Sequence, residues 1–226
     1  MTVHQRLSIA VLFSLLVASP SLAKGPNSPD YGRSGWYAGM GAGAGWDFIE
    51  DWVEDEIDAA CGVDDCVDLT SGGTFNIRGG YRVNSWFATE IMYEGVYGIT
   101  AETGTALTVP PTIPIPKGTK LASFDLHNFL WNIKFIAPIK RVQPYFLLGL
   151  GAQYHTFKAK GFGITTTSRT DFVIRPALGL DLYLTENWLF NTELAVGLSL
   201  RKYKNIPTAT TDNLTMTLSF GATYRF

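Results

Sequence analysis

The chain has 226 residues, 18 Lys plus Arg against 20 Asp plus Glu, and a net charge of −2. That balance leaves no basic footprint, so nucleic acid is not an expected partner. It is rich in glycine (23 residues) and in aromatics (13%), with only 17% charged residues, a composition unusual for a soluble domain.

The first 23 residues read as an export signal. A basic stretch (His4, Arg6) precedes an apolar run from Leu7 to Ala18, and Ser21-Leu22-Ala23 supplies the small residues of a cleavage site. The run is shorter than the roughly 20 apolar residues that span a bilayer as a helix. Residues 1–23 are therefore expected to be a cleaved secretory signal peptide, with the mature chain starting near Lys24 and a periplasmic segment at 24–34. No later stretch is apolar and long enough to cross a membrane as a helix, and one domain is expected from 35 to 226.

From Gly35 onward the pattern is period two. At Gly35–Asp47, Trp36, Ala38, Met40, Ala42, Ala44 and Trp46 share one face, and Gly39, Gly41, Gly43 and Gly45 share the other. Residues 73–83 set Phe75, Ile77, Tyr81 and Val83 against Asn76, Arg78 and Arg82; residues 87–98 set Ile91 and Tyr93 against Glu90 and Glu94. Residues 121–137 put Phe129, Trp131, Ile133 and Phe135 opposite Asn128, Asn132 and Lys134. Residues 144–158 oppose Phe146, Leu148, Leu150 and Tyr154 to Gly149, Gly151 and Gln153. In 171–184, Ile174, Leu178, Leu180 and Leu182 oppose Arg175, Gly179 and Asp181; in 188–202, Phe190, Leu194, Val196 and Leu198 oppose Asn191, Glu193 and Arg201. The last segment alternates Leu214, Met216, Leu218, Phe220, Ala222, Tyr224 and Phe226 with threonines, Ser219, Gly221 and Arg225.

Each segment is long enough to cross a bilayer as a tilted strand of about 9–11 residues. Connections alternate: short at Asn84-Ser85, 138–143 and Glu186-Asn187, long at about 48–72, 99–120, 159–170 and 203–212. Backbone groups in hydrocarbon must all be paired, so such a sheet has to close on itself. The expected fold is all-β: an eight-stranded antiparallel transmembrane β-barrel with polar residues inside, both ends in the periplasm and long loops outside. Trp36, Phe135, Trp188 and Phe226 are expected at the periplasmic rim, and Trp46, Phe124 and Tyr154 at the outer rim. Pro176 cannot donate to a ladder and is expected at a bulge or register irregularity.

Gly35-Trp36-Tyr37-Ala38-Gly39, Arg78-Gly79-Gly80-Tyr81-Arg82, Pro144-Tyr145 leading to Gly149-Leu150-Gly151, and the terminal Tyr224-Arg225-Phe226 carry a resemblance. The chain resembles the small eight-stranded outer-membrane proteins of the OmpA-like and opacity-protein type. That resemblance implies a Gram-negative outer-membrane location and makes Tyr224 and Phe226 an assembly signal for the outer-membrane insertion machinery. It implies outer-membrane lipids and lipopolysaccharide as surroundings. It does not select an activity, because this architecture hosts adhesins, structural proteins, small pores and lipid enzymes.

The inward faces carry Arg78, Arg82, Lys134, Arg175, Arg201 and Arg225 against Glu90, Glu94, Asp181 and Glu193. Eight strands leave room for little beyond side chains, so these are expected to form an ion-pair network plugging the lumen. Arg78 and Arg82 are expected to meet Glu90 and Glu94 across their hairpin. The first long loop holds ten carboxylates between Asp47 and Asp68 and no Lys or Arg. It reads either as a solvated loop or as a divalent-cation site, though its spacing does not fit an EF-hand. Cys61 and Cys66 lie in it and, in an exported chain, are expected to form a disulfide. A zinc site would need two further ligands, and no His is near, so neither metal nor cofactor is expected. Ser123, Asp125 and His127 alternate on one strand face, but residues about 3.3 Å apart along a strand do not converge on one atom. The expected role is non-enzymatic: a structural or adhesin-like barrel whose loops meet an extracellular ligand of unknown identity. A narrow solute pore is the alternative, and a lipid-modifying enzyme the third reading.

Overall fold

The computed structural model describes residues 30–47, 67–103, 107–109, 113–159, 167–200 and 213–226. The strands are β1 (Gly35–Asp47), β2 (Val67–Leu69), β3 (Gly72–Arg82), β4 (Phe87–Thr103), β5 (Leu107–Val109), β6 (Ile113–Ile115), β7 (Lys120–Ile136), β8 (Val142–Ala159), β9 (Thr167–Tyr183), β10 (Trp188–Leu200) and β11 (Asn213–Arg225). Eight of them pair in the order β4-β3-β1-β11-β10-β9-β8-β7, and β7 returns to β4, so the sheet closes. All these pairings are antiparallel. The seam between the first and last strands runs from Tyr37↔Arg225 to Asp47↔Thr215. Closure leaves no row of unpaired N–H and C=O groups at a sheet edge, which is what hydrocarbon demands.

The alternation read from the sequence is the alternation of the walls. In β3, buried and more exposed residues alternate along the strand. Met40, Ile91, Phe129 and Trp131 stand outside at 56–72% exposure, whereas Arg175, Glu94, Glu193 and Arg225 are about 1% exposed. Large apolar residues outside and charges inside invert a soluble protein and suit a lipid surround.

Glycine decides how the interior is filled. Tyr37 on β1 lies opposite Gly80 on β3, and Tyr145 on β8 opposite Gly179 on β9. A methyl group at Gly80 would sit 2.6 Å from the Tyr37 hydroxyl, and one at Gly179 would collide with the Tyr145 ring. The missing side chains are the space the two rings occupy.

Three boundaries differ from expectation. β4, β7, β8 and β9 run 17–18 residues, whereas β1, β3, β10 and β11 run 11–13. The long loops expected at 48–72, 99–120 and 159–170 are thereby invaded by strand, because neighbours that extend together keep pairing beyond the length a bilayer needs. β2 adds to the end of β4, and β5 and β6 form a separate hairpin. Between Val96 and Ile99, β4 holds one residue more than β7, and Gly98 there has φ 79°. This bulge turns Ile99 inward, where it is buried with Val96 and Leu126. Phe124, expected in the outer aromatic rim, packs against that cluster instead, since its register matches Leu126 on the inner face.

Pro176 makes no bulge. Ala195 faces Ala177 and Leu198 faces Ile174, so equal numbers of residues separate the flanking pairs; only the two pairings between them drop out. Against β8 the register continues through Leu148↔Pro176. One proline lacking an N–H costs local pairing without displacing the strand. The expected signal peptide (1–23), the expected acidic loop after Asp47 with Cys61 and Cys66, Arg201 and the loop expected at 203–212 lie outside the described side chains.

Candidate functional site: the charged lumen

A chain of charges crosses the barrel interior. Arg175 on β9 grips Glu94 on β4 with two parallel hydrogen bonds, Nη2 to Oε1 at 2.7 Å and Nε to Oε2 at 3.0 Å. Its Nη1 donates to Glu193 Oε1 on β10 at 2.9 Å. Glu193 Oε2 in turn accepts from Arg78 Nη1 of β3 at 2.8 Å and from the Tyr145 hydroxyl at 2.9 Å. Glu90 lies 3.7 Å from Arg78 and accepts from the Tyr37 hydroxyl and from Asn132 Nδ2, both at 2.9 Å. Asn128 Nδ2 and the Thr217 hydroxyl complete the shell of Glu94. Lys134 pairs with Asp181 at 2.7 Å and stands over the Tyr145 ring, 3.7 Å from its centroid. Every one of these charges is nearly fully buried, so the fork geometry and the extra donors offset a large desolvation cost.

The pairing differs from the hairpin expectation. Arg78 takes Glu193 at shorter range than Glu90, Glu94 belongs to Arg175, and Arg82 forms no ion pair among the described residues. The register explains this. Arg78 faces Met92 and Arg82 faces Ala88, so the glutamates lie diagonally; in so narrow a lumen the opposite wall is as near as the adjacent strand. Arg82 bonds instead to the carbonyls of Tyr31, Asn84 and Ser85, to Gln143 Oε1 at 2.8 Å and to the Tyr183 hydroxyl at 3.0 Å. Arg225 converges on the same place: its Nη1 donates to Tyr31 O at 2.8 Å and its Nη2 to Asp30 O at 2.8 Å and Glu186 O at 3.0 Å.

Tyr31 thus closes the turn end. Its ring lies 5.0 Å from that of Tyr183, and both are buried with Leu189. Between this closure and the charged chain remains a cavity of about 20 Å³, lined in part by Tyr37, Arg78, Lys134, Asp181 and Asn191. That is room for about one water molecule. Asp181 Oδ1 is a buried acceptor with no hydrogen-bond partner among the described residues.

Tyr37 and Tyr145 entered the sequence reading only within the motifs that carry the family resemblance, not as lumen residues, and Tyr31 did not enter it at all. The first two have the parity of the inward glycines, which was signal enough. Tyr31 precedes the first strand and carries no periodic signal. At the loop end, Arg169 Nε donates to Asp171 at 2.9 Å, and His155 Nε2 is 3.6 Å from the same carboxylate. Ser123, Asp125 and His127 share the outward face. His127 Nδ1 shares a 2.8 Å hydrogen bond with the Tyr93 hydroxyl, and Asp125 Oδ1 accepts from Gly98 N at 3.3 Å. At the turn end, Phe226 N donates to Trp36 O, and the rings of Trp188, Tyr224 and Phe226 contact in series at 5.0 and 5.2 Å.

The family model described as "Outer membrane protein beta-barrel domain" matches residues 9–226. The chain belongs to this family. It is an outer-membrane β-barrel protein, and the lipid that its exposed aromatic wall requires is that of the outer membrane. Among solved structures it is similar to Neisserial surface protein A, with 14% identity, 86% of this chain and 99% of that chain covered, and a TM-score of 0.53. It is also similar to the N-terminal β-barrel domain of Pseudomonas aeruginosa OprF (12% identity, 86% and 100% covered, TM-score 0.49). A third is Ail, the attachment invasion locus protein of Yersinia pestis (15% identity, 86% and 99% covered, TM-score 0.47). At such identities the likeness concerns the fold alone. No curated protein matches the chain.

Proposed function

We propose that this outer-membrane barrel is closed to solutes and acts through its architecture and its loop-end surface, as a structural or adhesin-like protein. The observation that carries this reading is the charge chain Glu94–Arg175–Glu193–Arg78, which occupies the section where a channel would run. The small residual cavity and the Tyr31 closure support it further. Ser123, Asp125 and His127 lie in a row along one strand face, about 3.3 Å apart per residue, an arrangement that does not gather the three on one reacting atom. In this reading the aromatic wall meets outer-membrane lipids and lipopolysaccharide, Tyr224 and Phe226 are read by the insertion machinery, and the loops, including the acidic one, face an extracellular ligand.

The test is single-channel recording of the refolded protein in planar bilayers. Closed barrels give a flat current. Reproducible unitary steps would replace this reading with the narrow pore. Adhesion of cells expressing the protein with and without residues 48–66 then separates a surface-interaction role from a purely structural one.

A further inference from the structure

The three turns that join barrel strands at the closed end differ in charge. Residues 84–85 carry none, residues 185–187 carry Glu186, and the turn between β7 and β8 carries Lys140 and Arg141. All three are flanked by exposed apolar side chains: Val83 and Trp86, Leu184 and Trp188, and Ile139 and Val142. At the β7–β8 turn two adjacent basic residues are bracketed by two apolar ones, Ile139-Lys140-Arg141-Val142, each of the four exposed. Phe135 and Trp86, stacked 6.4 Å apart, continue the apolar wall below it.

Lys140 is also the one non-glycine residue with positive φ, 47°, among the described residues. Glycine or asparagine would occupy that conformation at lower cost, so a lysine there points to a role for its side chain. Its Nζ makes no hydrogen bond or ion pair among the described residues. Arg141, an exposed residue, uses Nε on the Tyr31 hydroxyl at 2.9 Å, which ties the guanidinium to the rim, and its Nη groups make no hydrogen bond or ion pair among the described residues.

From this we infer that the β7–β8 turn is a binding site for anionic phospholipid in the leaflet at the turn end, with Ile139 and Val142 among the acyl chains and Lys140 and Arg141 on the headgroup phosphate. Charge complementarity selects the occupant: long basic side chains reach the phosphate plane while their stems stay against apolar surface. The acidic Glu186 makes the neighbouring turn the disfavoured one. The inference rests on the barrel standing in a bilayer, which the experiment reads separately.

Refolded protein is presented with equal amounts of phosphatidylglycerol and phosphatidylcholine in neutral detergent, and retained lipid is measured by native mass spectrometry. Each cation near an anionic surface is worth about fivefold, so phosphatidylglycerol should be retained at least fivefold over phosphatidylcholine. The preference should fall in K140Q, vanish in K140Q/R141Q, weaken with salt, and stay unchanged in K120Q at the opposite end. Because Arg141 also holds Tyr31, K140Q alone decides the matter if the double variant does not fold. Equal retention of the two lipids, or a preference indifferent to K140Q, overturns the site. Failure to enter vesicles, read by heat-modifiable migration on gels, would speak against the membrane barrel instead.

Discussion

Replacing Arg175 with Met is the sharpest test of the charged lumen. The change keeps the stem and removes the guanidinium, which is about 1% exposed. Glu94 then loses its two-pronged partner and keeps only Asn128 and Thr217; Glu193 keeps Arg78 and Tyr145. Breaking a buried ion pair from one side costs about 3–5 kcal/mol, because the remaining charge stays desolvated. Since Glu193 is still well held, the loss should come mainly from Glu94 and sit near the lower end, about 3 kcal/mol, more than a hundredfold in the unfolding equilibrium. Glu94→Gln in the same background removes the stranded charge, so R175M/E94Q should recover about 1.5–2 kcal/mol relative to additive losses. Urea unfolding of the barrel in vesicles, followed by tryptophan fluorescence and by gel migration, measures all four corners of this cycle. If R175M lies within about 1 kcal/mol of the parent, or the double variant loses the full sum of the singles, the charge chain is not what holds the interior.

Gly179→Ala should cost about 1–3 kcal/mol by pushing Tyr145 off Glu193, and Tyr145→Phe about 1 kcal/mol; equal stability of G179A and the parent in the same assay would refute the close packing. Tyr31→Ala keeps the carbonyl that Arg82 and Arg225 bond but removes the ring packed on Tyr183 and the hydroxyl that accepts from Arg141, so the segment before β1 should loosen and amide exchange rise at the turn end of the β1–β11 seam; an unchanged exchange pattern would show that the ring does not hold the closure. Deleting Phe226 should lower outer-membrane levels and leave unfolded protein in the periplasm; unchanged heat-modifiable migration would count against a terminal assembly signal.

Which residues face inward was legible in the sequence because a strand has a period of two and lipid punishes any slip. Arg78, Arg82, Glu90, Glu94, Lys134, Arg175, Asp181, Glu193 and Arg225 are all buried. Their partners were not legible. Parity names the face, but the shear of a closed barrel decides that Arg175 reaches Glu94 across the lumen, and shear depends on all eight registers at once. The bulge at Gly98 escaped for a different reason: one extra residue leaves the local alternation intact on either side of it. Pro176 was legible as a weakness in its strand, but not as a break confined to two pairings.

The longer described strands, β4, β7, β8 and β9, are consecutive around the barrel and run 17–18 residues. A tilted strand needs only about 9–11 residues to cross a bilayer, so about six or more in each lie beyond what the lipid demands. At the loop end that surplus is still paired sheet, through Glu102↔Lys120, Ala122↔Ala159 and Phe157↔Thr167. On this side of the barrel the ladder itself is carried past the hydrocarbon, so whatever settles there meets a stiff pedestal of hydrogen-bonded backbone.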